Sequence, residues 1–321
     1  MNTTLKITAF TAGLTAAFGL ALGVGHATGR GPAPAPAGTT GHGGHAGHTE
    51  AATPADHLPG GLQVSERGYT LSLDDPFVTA GTPTDLRFRI LGADGRAVTA
   101  FQPSHEKELH LIVAPRDLSG YQHLHPTRAA DGTWSATAAL PAAGTYRVFA
   151  DFTPAGATEG LTLGADLHAA GDLRPAALPE TGRTVTVDGY TVALGGELTP
   201  GRSGRLTLTV TRDGRPVTDL QPYLGASGHL VALRAGDLAY LHVHPDTTAP
   251  GPEIGFTTTA PSAGSYRLFL DFKQQDAVHT AAFTVTTDGA ATPGPAAAPA
   301  GPATPAGEPA PTTGETVAHQ H

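Results

Sequence analysis

Apolar and polar positions alternate along short stretches of the chain with a period of two. Leu86-Arg87-Phe88-Arg89-Ile90 does so, and so does Leu206-Thr207-Leu208-Thr209-Val210. A two-residue period lines one face with apolar side chains and marks a half-buried β-strand. The stretch Tyr146 to Phe152 continues the pattern, with Tyr146, Val148 and Ala150 on one face. Asp94-Gly95 and Asp213-Gly214 are hairpin-turn signals. Thr184-Val185-Thr186-Val187 opens a further strand, and no long helical pattern competes. The predicted class is all-β. Short strands at intervals of about 8–12 residues suggest sandwiches of the immunoglobulin-like or cupredoxin-like kind.

The pattern occurs twice. Gly68-Tyr69-Thr70 matches Gly189-Tyr190-Thr191, and Asp94-Gly95-Arg96 matches Asp213-Gly214-Arg215. His110-Leu111-Ile112-Val113 matches His229-Leu230-Val231-Ala232. Tyr121-Gln122-His123-Leu124-His125-Pro126 matches Tyr240-Leu241-His242-Val243-His244-Pro245. Gly144 to Phe152 matches Gly264 to Phe272. A constant offset of this kind means a duplicated domain. Gly171 to Gly182 reads as the linker between the copies.

Composition adds the ends. The 321 residues include 42 Gly and 28 Pro, and the excess over ordinary usage sits mostly in two end stretches that lack the apolar residues a core requires. The predicted layout is as follows: 1–28, a signal peptide or N-terminal membrane anchor; 29–60, a disordered His/Gly/Pro-rich linker; 61–178, sandwich repeat 1; 179–288, sandwich repeat 2; 289–321, a disordered Pro/Ala-rich tail. The anchor reading rests on Lys6 followed by an uncharged, weakly apolar run from Ile7 to Val24. It implies an extracytoplasmic protein, either secreted or held at the outer face of the membrane.

Charge and residue type narrow the chemistry. The net charge is −9 and no Lys/Arg run is present, which argues against nucleic acid as a partner. With no Cys, thiolate metal sites, disulfides and thiol catalysis are excluded, and the single Met excludes a methionine-rich copper(I) site. Histidine is abundant, with 16 copies. Three recur in each repeat with the same spacing: His110, His123 and His125, then His229, His242 and His244.

Residues i and i+2 of a strand share a face, so His123 and His125 present paired imidazoles while Leu124 turns to the core. His110 opens a strand that returns antiparallel beside them. Neutral imidazole is the commonest protein metal ligand. Without sulfur ligands the expected cofactor is Cu(II), with Zn(II) or Ni(II) as alternatives. Asp151 and Asp271 end matched strands and are candidate fourth ligands or orienting groups. On this reading each repeat holds one metal ion. A copied structural cluster would produce the same pattern, because duplication copies structural residues as well as ligands. A pH-sensing or catalytic role is a lesser reading. His42, His45 and His48 form a further cluster in the linker, suited to loose metal capture. His105, His168 and His279 lack counterparts in the other repeat. No nucleophile elbow, phosphate loop or His-Glu-x-x-His motif is present, so no enzyme is expected.

The run from His110 through Asp117-Leu118-Ser119, His123-Leu124-His125-Pro126 and Gly144 to Phe152 resembles a poorly characterised family of exported bacterial β-sandwich proteins with a His-Ile/Leu-His-Pro motif. That family is loosely similar to YtkA-like and copper-resistance Ig-like domains. The resemblance implies secretion or anchoring and heavy-metal handling. In repeat 2, Ala235-Gly236-Asp237-Leu238-Ala239 departs from the Asp-Leu-Ser turn. The expected function is non-enzymatic divalent-metal binding. The alternative is a tandem Ig-like adhesion or scaffold module with structural histidines.

Overall fold

The computed structural model describes residues 58–241, 243–246 and 251–287. The anchor segment, His42, His45 and His48, and the Pro/Ala-rich tail lie outside these residues. So does His242, and His244 is placed by its backbone alone. Among the described residues no helix is long and apolar enough to cross a membrane.

Both repeats are β-sandwiches. In the first, a five-stranded sheet is built around Tyr69–Leu73, Pro83–Leu91 and Trp134–Ala139. It faces a sheet built around Leu109–Pro115, Gly144–Pro154 and Leu161–Ala170. The alternation read from the sequence places the core. Leu86, Phe88 and Ile90 meet Tyr146, Val148 and Ala150 between the sheets, all nearly inaccessible to water. The second repeat does the same with Leu206, Leu208 and Val210 against Tyr266, Leu268 and Leu270. The Asp213-Gly214 turn closes a hairpin between Arg212 and Arg215, and both turn residues have positive φ.

Alternation missed one thing. The second face of the inner sheet is also buried in each repeat. Ile112, Ala114 and Phe149 of repeat 1 pack against Val231, Leu233 and Phe269 of repeat 2 in a third apolar cluster. The contact is reciprocal. Tyr121 stacks on Phe269 with ring centres 4.4 Å apart, and its counterpart Tyr240 lies 5.6 Å from Phe149. The order of layers is outer sheet, inner sheet, inner sheet, outer sheet.

Two loops seal this contact. Leu118 and Leu238 adopt φ of 57° and 61° and are buried in the shared cluster. The turn that differs in sequence between the repeats therefore keeps its left-handed leucine. Its aspartate also keeps one role: Asp117 accepts from the Ser119 amide, and Asp237 from the Ala239 amide. The segment leading into repeat 1 runs between the two sheets. The Gly61 amide donates to the Thr162 carbonyl, and the Tyr240 amide donates to the Gly60 carbonyl.

Candidate functional site: a histidine–carboxylate cluster between the repeats

The strand Leu109–Pro115 is buried on both faces, and its odd and even positions divide the work. Leu109, Leu111 and Val113 enter the sandwich core, while His110, Ile112 and Ala114 face the other repeat. The strand Gln122–Leu124 pairs with it antiparallel, Ile112 opposite His123 and Leu111 opposite Leu124. Leu124 packs on the core, as its position between two histidines implied. His123 and His125 thereby come up beside His110. The ring centres lie 5.2 Å apart for His110–His123, 5.3 Å for His110–His125 and 4.7 Å for His123–His125. One nitrogen from each ring falls within 4.8 Å of the others, so a single point lies within about 2.8 Å of all three.

The hydrogen-bond geometry of this triad is short of one hydrogen. His110 Nε2 lies 3.0 Å from the Ser104 carbonyl oxygen, and His110 Nδ1 lies 3.0 Å from His123 Nε2. His123 Nδ1 lies 3.1 Å from Asp271 Oδ2. A carbonyl and a carboxylate only accept, so the two outer nitrogens must carry the hydrogens. A neutral imidazole has one N–H. The two inner nitrogens then face each other lone pair to lone pair. His125 Nε2 is buried and has no hydrogen-bond partner. Burial, with His123 and His110 close by, pushes the His125 pKa down to about 3. Burial also lowers His110, and His123 adds to the effect against the opposing pull of the Ser104 carbonyl.

The carboxylate in this chain comes from the other repeat. Asp271 is 2% exposed, and its Oδ1 accepts from the Thr280 hydroxyl at 2.6 Å. Its Oδ2 reaches across the interface and accepts from the Tyr121 hydroxyl at 3.0 Å as well as from His123. Burial and the adjacent Asp271 charge raise the Tyr121 pKa well above its ordinary value, so Tyr121 stays a donor. Asp151, the matching residue of repeat 1, sits opposite His110 in the strand register. It accepts from Thr162 at 3.1 Å and lines the same cavity. The sequence reading kept each aspartate with its own repeat. The structure instead brings Asp271 to the first repeat's triad.

His229 joins the cluster from repeat 2. Its Nε2 lies 3.0 Å from the Tyr223 carbonyl, as His110 Nε2 does from Ser104. Its ring centre is 5.7 Å from His123 and 6.0 Å from His110. Burial and the flanking His123, His105 and His110 lower its pKa to about 3. A cavity of about 180 Å³ beside the cluster is lined by Ser104, His105, Lys107, His110, Asp151 and His229 among others. His105, unassigned from sequence, stands 5.0 Å from His229 between ring centres. It occupies a left-handed turn position, φ 49°, where repeat 2 has Leu224.

The backbone on either side of His242 belongs to two different sheets. Tyr240–Leu241 pairs with the inner sheet, whereas Val243–Pro245 pairs with the outer one. The two other unmatched histidines make contacts away from the cluster. His168 stacks on Phe77, and His279 Nδ1 lies 2.8 Å from Asp188 Oδ2.

Residues 63–167 and 185–289 each match one domain family, described as a domain of unknown function (DUF8832). The chain belongs to that family. Its two DUF8832 copies coincide with the two sandwiches, and every histidine and aspartate of the cluster lies inside them. No curated protein matches the chain. Solved structures similar to it include the Escherichia coli adhesin FdeC, 20% identical over 73% of this chain and 66% of that one, TM-score 0.23. Another is domains 5–6 of the S-layer protein SbsC, 12% identical over 68% of this chain and 97% of that one, TM-score 0.22. The chain spans just under two thirds of the FdeC structure. At TM-scores near 0.2 these likenesses carry no weight for the arrangement or function of the DUF8832 pair.

Proposed function

We propose that this protein is an exported, non-enzymatic binder of a divalent transition metal, held by His110, His123 and His125. The observation that carries the reading is the missing hydrogen. Two inner ring nitrogens face each other at 3.0 Å, each with its hydrogen committed elsewhere, and a third buried nitrogen beside them has no partner. A cation at that point resolves all three. A tetrahedral metal with bonds near 2.0–2.1 Å holds its nitrogens about 3.3 Å apart, which asks only for small side-chain shifts here. A proton on His110 or His125 is disfavoured near neutral pH, because burial and mutual repulsion hold both below the ordinary imidazole value. An all-imidazole set favours Cu(II), with Zn(II) or Ni(II) next. Export rests on the apolar N-terminal run.

The test is calorimetric titration of Cu(II), Zn(II) and Ni(II) into the full chain with a competing chelator present, which suppresses loose binding by His42, His45 and His48. Wild type takes up metal tightly, and His123→Ala with His125→Ala abolishes that phase. Unchanged affinity in the double variant sinks the reading.

One observation favours a second reading, a tandem Ig-like structural module. Asp271 is a buried countercharge against His123, and a proton shared between His110 and His123 would make the cluster a buried ion pair joining the repeats. In that case metal would leave thermal stability unchanged, whereas a specific site raises it by linkage.

A further inference from the structure

From the crossing of Asp271, we infer that the centre is a composite of both repeats. Repeat 1 supplies the imidazoles, and repeat 2 supplies the carboxylate that orients them. The inference rests on the metal reading above and adds a dependence of metal binding on the docking of the repeats.

The physical chain is short. A metal-ligating histidine is usually held in one tautomer by a carboxylate or carbonyl on its other nitrogen. His110 has its own repeat's Ser104 carbonyl for this. His123 instead has its Nδ1 held across the interface, by Asp271 Oδ2 of the other repeat. Thr280 fixes the other oxygen of that carboxylate, and Tyr121, the residue before the Gln122–Leu124 strand, shares Oδ2. Tyr121 in turn stacks face to face on Phe269, two residues before Asp271. Ring stacking, carboxylate and imidazole therefore come into place together, and only when the two inner sheets are in contact. Asp271 is a positioning residue that acts through His123. Asp188 makes a carboxylate–histidine contact outside the cluster, with His279, so it is the internal control.

The experiment compares Asp271→Asn with Asp188→Asn in the full chain. Zn(II) affinity is measured by chelator competition, and the His123 ring by long-range proton–nitrogen NMR of the metal-free protein. An amide can turn its NH₂ toward Nδ1 and force the other tautomer, as removal of a carboxylate partner does in hydrolytic triads. Asp271→Asn is expected to lower affinity 10- to 100-fold and to move the His123 hydrogen from Nδ1 to Nε2. Asp188→Asn, which contacts none of the three triad rings, should stay within about twofold of wild type. Equal losses in both variants, or no loss in Asp271→Asn, overturn the inference. If Asp271→Asn fails to fold, the wild-type spectrum decides: a His123 whose Nδ1 carries no hydrogen overturns it. Failure of the metal reading looks different. There the wild-type chain shows no tight Zn(II) phase, or shows one that survives loss of His123 and His125, while the tautomer still reports whether Asp271 orients His123.

Discussion

Burial disfavours the charged form of His110, His125 and His229, and that links stability to pH. His125 and His229 titrate near 3 in the folded chain, with burial the largest cause, against an ordinary value of 6.5. Between these values the unfolded chain binds more protons than the folded one. The contribution of these residues to stability is therefore fully present above about pH 6.5 and is lost as pH falls toward 3. With chelator present, the guanidinium midpoint should fall between pH 7.5 and pH 5.0. The fall should be smaller in a His125→Gln, His229→Gln double variant. A wild-type midpoint that does not move over this range would show that the rings are solvated.

At the scale of elements, each inner strand serves two interfaces. Phe149 has neighbours on its own strand in the sandwich core, yet its ring packs with Tyr240 and Val231 of the other repeat. Truncation of such a buried ring typically costs about 3–5 kcal/mol. Phe269→Ala should show a loss of that order in chemical denaturation. It should also weaken metal binding although it touches no ligand, because Tyr121 loses the surface it stacks on. The entering segment is equally constrained. Gly61 has φ of +73°, and a Cβ there would sit 2.4 Å from the Phe149 ring. The Arg147 guanidinium donates to the Gly61 and Leu62 carbonyls and to Asp166. Gly61→Ala combines backbone strain with overpacking, and a loss of about 1–3 kcal/mol is expected from thermal unfolding.

At the scale of the whole molecule, the two DUF8832 copies share a third core and so should share an unfolding transition. Differential scanning calorimetry of the metal-free chain is expected to give one transition, since separating the repeats exposes Ile112, Phe149, Val231 and Phe269 together. Two resolved transitions would show the repeats to be independent. Metal at a hundredfold excess over its dissociation constant should add about 2.7 kcal/mol, seen as a higher unfolding temperature. His123→Ala should erase that increment.

The strands, the duplication and the core-facing side of each sandwich were legible in the chain because they depend on local period and local turn chemistry. Leu86, Phe88 and Ile90 point inward for the reason their alternation implies, and His123 and His125 flank a core leucine as i and i+2 must. The burial of the opposite face left a readable trace. Leu109 to Ala114 is almost continuously apolar, as expected of a strand covered on both sides. The partner across that face was not legible. Asp151 and Asp271 hold equivalent positions in equivalent strands, so no local rule distinguishes them. Which one meets which histidine is settled only when two sheets far apart in sequence come into contact. The same holds for His229, which shares its motif with repeat 2 but its surroundings with repeat 1. The sequence alone determined which histidines recur between the repeats and that His123 and His125 share one face of their segment. Only the tertiary structure decided that the two faces oppose each other, because a strand's own period specifies a side of the sheet but never what covers it.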